Sequence, residues 1–166
     1  MEKGINKKVN EQQEELLQLV SFRLGNEEFG VNILNVQEIN RMIQITKVPN
    51  SPDFVEGVIN LRGRIIPVIS LRKRIGIPDK EQDKDTRIVV VEISGQTIGF
   101  IVDSVNEVLR IPKSITEPPP EIVVSGISSE FISAVGKLED RLLILIDLEK
   151  IITLEEKKVL AEETVS

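Results

Sequence analysis

Four residue types are missing from this sequence: cysteine, histidine, tryptophan and tyrosine. Their absence excludes a disulfide, a thiolate nucleophile, an imidazole base, a Cys/His zinc site and a Ser-His-Asp triad. Aromatic residues make up 3% of the chain, five Phe in all, so a core must be built mainly from Ile, Val and Leu. The same scarcity leaves no aromatic groove for polyproline. Arg, Asp or Gly interrupts every apolar stretch before the roughly 18 residues of a spanning helix, and the N-terminus has no apolar segment of signal-peptide length. A net charge of −6 lacks the basic field that a nucleic-acid partner requires. These exclusions predict a soluble chain with no nucleic-acid partner, no membrane insertion, no cofactor and no metal. The missing cysteines fit a reducing cytoplasm and equally a thermophile.

What the sequence does have is 40% hydrophobic residues over 166 positions, enough for a substantial core, and an internal repeat. "QLVSFRLGNEEFGVNILNVQEINRM" from residue 18 lies over "RIVVVEISGQTIGFIVDSVNEVLRI" from residue 87, matching Val20 with Val89, Gly30 with Gly99, Val36 with Val105, Glu38 with Glu107 and Arg41 with Arg110. "SPDFVEGVINLRGRIIPVISLRKRI" from residue 51 then lies over "SSEFISAVGKLEDRLLILIDLEKII" from residue 128. The offset is 69 in the first block and 77 in the second, and the extra residues are "PPEIVVSG", 119–126. Such self-similarity marks a duplicated unit.

Both halves carry the same local cues. Alternating runs flank Gly25-Asn26 in one and Ser94-Gly95 in the other, and each reads as a hairpin. "NVQEINRM" and "SVNEVLRI" follow, with loose apolar spacing that leaves strand and bent turn both open. Ser51-Pro52 predicts one helical turn over "PDFVEG", with Ser128 or Ser129 in the duplicate. Closing hairpins are expected over 57–61 with 65–71 and over 134–138 with 142–148. Several short strands per half predict two small antiparallel barrels, whose closure removes exposed edges. Their approximate halves are 18–77 and 87–152, joined by a polar linker, 78–86. Residues 1–16 are expected to be mobile, and Thr153 with Glu156 has capping-box spacing for a C-terminal helix over 153–164.

Few residues invite chemistry. Asp79, Glu81, Asp83 and Asp85 suggest a calcium loop, but Lys84 stands where that loop needs Gly and Val90 where it needs Glu, so a solvated linker is the better reading. "LRKRIG", 71–76, reads as a solvated strand end. Asp103 and Glu107 form a carboxylate pair that nothing in the sequence places around a substrate. Arg62-Gly63 of "GVINLRGRIIPVISL" faces Glu139-Asp140 in the duplicate, so the turn itself does not require arginine at 62, and either a specific contact or an ordinary surface charge accounts for it. Arg64 matches Arg141 and reads as a shared strand-start charge. Glu38 and Glu107 sit between apolar neighbours in both halves, which suits a groove that grips a partner helix and equally a salt bridge to Arg41 or Arg110.

The segments "FRLGNEEFGVNILNVQEI", "VPNSPDFVEGVINLRGRIIPVISLR", "IVVVEISGQTIGFIVDSVNEVLRI" and "DRLLILIDLEKII" together resemble the CheW family of chemotaxis coupling proteins, over residues 17–155. The resemblance implies an all-β fold of two SH3-like five-stranded β-barrels, with a hydrophobic core between them and no catalytic residues. It implies a cytoplasmic adaptor, recruited to membrane-associated receptor arrays, that links the signalling tip of chemoreceptors to the regulatory domain of the histidine kinase CheA. By motif, Val36, Glu38, Arg62 and Val108 would contact the receptor's helical hairpin, and Gly57 and Gly63 would lie near the kinase. A generic SH3-like peptide-binding scaffold and a carboxylate-based hydrolase are the alternatives from other classes.

Overall fold

The alternating apolar and polar residues of each half form strands, described in a computed structural model for residues 15–119 and 129–152. The first half supplies β1 (Leu16–Leu24), β2 (Glu27–Asn32), β3 (Val36–Arg41), β4 (Val55–Leu61) and β5 (Arg64–Ser70). The second supplies β6 (Arg87–Ile93), β7 (Gln96–Val102), β8 (Ser104–Pro112), β9 (Thr116–Glu117), β10 (Ile132–Lys137) and β11 (Leu142–Ile146). Short helices α1 (Leu71–Ile75) and α2 (Leu148–Ile151) follow β5 and β11. The fold class is the expected all-β pair of SH3-like barrels. The helix expected over 153–164 and the candidate cap Ser128 lie outside the described residues. Of the segment 1–16, only Glu15 and Leu16 are described; Leu16 is not loose but opens β1, because the β8 ladder extends to its partner Pro112.

The strand orders are β8-β1-β2-β11-β10-β9 in one sheet and β3-β6-β7-β5-β4 in the other. The repeat is therefore present, but the halves 18–77 and 87–152 do not map one to each sheet. Hairpin β1-β2 of the first half sits among strands of the second, and hairpin β6-β7 of the second sits among strands of the first. The reason lies in two parallel pairings, β2 with β11 and β7 with β5. Parallel neighbours cannot be joined by a tight turn and need a long crossover. For β2 and β11 the crossover is the whole of the other sheet, which the chain enters at the 3₁₀ turn Ile33–Asn35 and leaves at Asp103; β5 and β7 are joined through α1, the linker and β6.

Register confirms the duplication. Ser21 pairs with Gly30 as Val90 pairs with Gly99, and Gly30 pairs with Leu145 as Gly99 pairs with Val68. The bulges coincide too: Gln37 and Asn106 are the extra residues of β3 and β8, Glu56 and Ser133 those of β4 and β10. Among the described residues, a core of 23 buried side chains drawn from both sheets lies between them, against six and four in clusters confined to one sheet, so each sheet is held chiefly by burial against the other.

Two local expectations are corrected. "PDFVEG" is a β-turn closed by the Val55 N–H on the Pro52 carbonyl, not a helical turn; the Ser51 hydroxyl donates to the Val48 carbonyl instead of capping. "LRKRIG" is α1, N-capped by the Ser70 side chain and ended by Gly76 at φ +89°, not a strand end. Its cations all have partners. Arg72 binds both oxygens of Asp103 and donates to the Pro78 carbonyl at 2.6 Å. Lys73 pairs with Glu56 at 2.8 Å. The Arg74 guanidinium lies 5.1 Å from the ring centres of both Phe54 and Phe131, which are repeat equivalents, and donates to the Ile151 carbonyl.

Asp103 also accepts the Gly25 N–H at 2.8 Å, so one carboxylate joins the β1-β2 turn, the β7-β8 crossing and α1. Burial alone would raise this carboxyl, but the hydrogen bonds from Arg72 and Gly25 and the Arg72 charge outweigh it and hold it below its ordinary 3.8. A carboxyl that binds protons less readily when folded stabilises the fold above the unfolded value and loses that contribution as pH falls through the lower folded value. Asp103→Asn is expected to be less stable than the parent at pH 7, with the gap narrowing below about pH 4. Urea midpoints across that range measure it, and a pH-independent gap would contradict the assignment.

A second prediction concerns Gly57. Thr46 and Val58 exchange backbone hydrogen bonds at 2.9 and 2.8 Å, which brings the Thr46 carbonyl over the bulge. A Cβ on Gly57, at φ +144°, would stand 2.1 Å from that oxygen. Gly57→Ala should cost roughly 2–3 kcal/mol in urea unfolding. Gly63→Ala, at φ +87° but with open space around it, should cost about 1 kcal/mol. Equal losses would show that the contact with Thr46 does not decide the matter.

Candidate functional site

β3 and β8 are repeat equivalents, and each is the outer strand of its sheet next to β6 or β1. Strand alternation would put residues three apart on opposite faces. The bulges at Gln37 and Asn106 reset the alternation, so Val36 and Ile39 share a face, as do Val105 and Val108. Val36 and Val105 pack against the shared core. Ile39 and Val108 continue the same faces beyond it and stand 40% and 56% exposed. Each sheet thus ends in an apolar shelf that runs out from the common core into solvent.

The opposite face of β3 carries charge. The Arg62-Gly63 loop joins β4 to β5 with both residues at positive φ, +52° and +87°, the type I′ geometry that matches strand twist. From that turn the Arg62 guanidinium donates to Glu38, which also accepts the Asn40 amide at 2.8 Å. These two donors hold the Glu38 carboxyl below its usual range. Arg62 remains 70% exposed and Glu38 28%, so the pair positions a charge at the surface more than it stabilises the fold.

The duplicate arrives at the same contact by another residue. Arg141 reaches Glu107, the equivalent of Glu38, at 3.4 Å, and also donates to Glu28 at 2.8 Å. Glu28 corresponds to Thr97, and Thr97 accepts from Arg64 at 3.0 Å. Arg62 and Arg64 therefore divide between them what Arg141 does alone. The position-by-position comparison, Arg62 against Glu139, misses this because the guanidinium reaches the same carboxylate from a turn position two residues away.

Of the residues singled out in the sequence, Val36, Glu38 and Arg62 come together in one sheet, whereas Val108 lies on the other, at the position equivalent to Ile39. Gly63 is exposed at the turn; Gly57 is buried beneath Thr46. Glu38 and Glu107 pair with Arg62 and Arg141, not with Arg41 or Arg110. Asp103 and Glu107 are held by different arginines, Arg72 and Arg141, and do not converge. Ile39 and Val105 are the remaining apolar neighbours of Glu38 and Glu107 noted in the sequence, and they share the shelves of Val36 and Val108. The three-residue apolar spacing, which left strand and bent turn both open, marks a bulged edge strand.

Comparisons with known proteins point to one family. A family model described as the CheW-like domain matches residues 18–156. The chain is 41% identical over 135 residues to the chemotaxis protein CheW of Klebsiella aerogenes, covering 81% of each chain. It is 39% identical over 142 residues to that of Helicobacter pylori, covering 86% of this chain and 85% of the other. Among solved structures it is similar to the scaffolding protein TtCheW from Thermoanaerobacter tengcongensis, with a TM-score of 0.77 and 42% identity over 86% of this chain and 91% of that one.

Proposed function

The chain belongs to the CheW family, and we propose that it is a chemotaxis adaptor coupling the signalling tip of a chemoreceptor to the regulatory domain of the histidine kinase CheA. The observation that carries the receptor contact is the outer strand β3, which carries Val36 and Ile39 on one face and the Glu38–Arg62 pair on the other, with Val108 at the position equivalent to Ile39 on the second sheet. An amphipathic helix presents apolar anchors one turn apart with polar residues alongside, and this surface offers both kinds of partner. Val36, Glu38, Arg62 and Val108 bind the receptor, with Ile39 added by its place next to Val36. Gly63 meets the kinase at the exposed turn. Gly57 acts there through shape, since it admits the Thr46 segment over β4.

The mechanism is transmission of geometry by binding, without catalysis. The two sheets share one core, so the adaptor moves as a body, and a change in receptor packing reaches the kinase as a change in the contacts available to it. Such coupling requires that the receptor bind differently in its two signalling states. No helix among the described residues is long and apolar enough to cross a membrane; the receptor supplies the link to the membrane.

The test separates the internal ion pair from the charge it displays. Exchanging the partners, Glu38→Arg with Arg62→Glu, keeps a pair but reverses its polarity toward the receptor. The melting temperature should stay within a few degrees of the parent, and affinity for a receptor signalling fragment should fall about tenfold or more. Arg64→Glu, whose partner is Thr97, should bind as the parent does. An exchanged pair that binds the receptor fragment with parental affinity would remove Glu38 and Arg62 from the contact.

A further inference from the structure

Glu38 and Glu107 occupy equivalent positions on the two outer strands, but the next residue on the same face differs. Two positions on from Glu38 stands Asn40, and two on from Glu107 stands Leu109. Across the ladder Asn40 pairs with Ile88, which is buried in the six-residue cluster of its sheet. Leu109 pairs with Leu19, the repeat equivalent of Ile88, and packs against the four-residue cluster of the other sheet. Directly opposite residues of an antiparallel pair share a face, so the backbone sets Asn40 over the same kind of apolar floor that Leu109 helps to cover. The duplicate shows which residue packing favours there. A half-buried amide in place of that leucine forgoes apolar contact, and its polar atoms need a partner.

The partner is Glu38. The Asn40 Nδ2 donates to Glu38 Oε1 at 2.8 Å, while Arg62 donates to Oε2. Two donors on the two oxygens fix the carboxylate's rotamer and the oxygen that the arginine meets. Glu107 has no second donor: among the described residues it meets only Arg141, at 3.4 Å, and Arg141 is shared with Glu28 and Asp140. The Glu107 side chain is accordingly 55% exposed against 28% for Glu38. We propose that Asn40 is a positioning residue for the receptor contact: it holds the Glu38 carboxylate so that Arg62 is presented in one orientation, and it makes the β3 end, not its duplicate, the one that reads charge on the receptor helix. An arginine that is 70% exposed loses rotamer freedom when it binds, and a carboxylate already fixed at its base reduces that loss. This assignment rests on the adaptor reading and adds to it a residue that acts through Glu38 without touching the receptor.

The repeat supplies the test, because Asn40→Leu should have two effects of opposite sign in the full-length chain. Its melting temperature should equal the parent's or stand a few degrees above it, since leucine restores the contact that Leu109 makes. Its affinity for a receptor signalling fragment should nevertheless fall about three- to tenfold. By NMR titration the Glu38 carboxyl should bind its proton at higher pH than in the parent, because one donor is gone while Arg62 and Arg64 are unchanged. In a Glu38→Ala background, Asn40→Leu should change receptor affinity by less than about twofold, as a residue acting through Glu38 requires. Parental affinity in Asn40→Leu would overturn the proposal, and so would an equal loss in the Glu38→Ala background, which would make Asn40 a contact in its own right. A fall in melting temperature together with binding would reduce Asn40 to a structural role and overturn it as well. If the parent itself fails to bind the fragment, the adaptor reading fails, and the Glu38 titration alone then decides whether Asn40 holds the carboxylate.

Discussion

The parallel pairings of β2 with β11 and β7 with β5 are the constraint on which the rest of the molecule depends. Each forces a hairpin from one half of the chain into the sheet of the other half. Neither sheet is complete without both halves, and the faces the sheets present to each other bury the largest share of the apolar side chains. Two barrels joined by a flexible linker would move independently, as domains with small interfaces do. Two barrels that exchange hairpins across a common core do not have that freedom.

The exchange explains which parts of the fold were legible in the sequence. Hairpins are local, so alternation and the Gly25-Asn26 and Ser94-Gly95 turns disclosed them. The duplication was legible as identities at constant offset, and the coincident bulges bear it out. The assignment of strands to sheets was not legible, because a parallel pair between Gly30 and Leu145 leaves no mark near either residue. α1 was missed for a different reason: Leu71 and Ile75 are its only buried positions, too few to establish a helical period, and three successive cations look solvated until their partners are known.

At the candidate site the limit was the length of side chains. Sequence comparison assigned Arg62 a place where its duplicate has Glu139, and concluded that the turn does not need it. The turn does not, but Glu38 does make use of it, and in the duplicate Arg141 serves Glu107 from two positions further on. Repeats preserve contacts more faithfully than they preserve positions when the residue is long enough to reach. Short side chains leave no such latitude: Val36, Ile39, Val105 and Val108 keep their places in both halves because a β-branched group packs only where its backbone puts it.

The differences between the repeats matter as much as their likeness. A perfectly symmetric pair would present the same edge to every partner and could not distinguish one from another. Here symmetry is kept where it builds the core and broken at the surface: two arginines on one turn against one on the other, Asp103 bound to Arg72 of α1 against an exposed Leu34 at the equivalent position. The shared core carries the cost of rigidity once for both barrels, and the outward positions are free to differ. An adaptor needs that combination, because its partners must sense each other through a body that does not bend while meeting surfaces that are not alike.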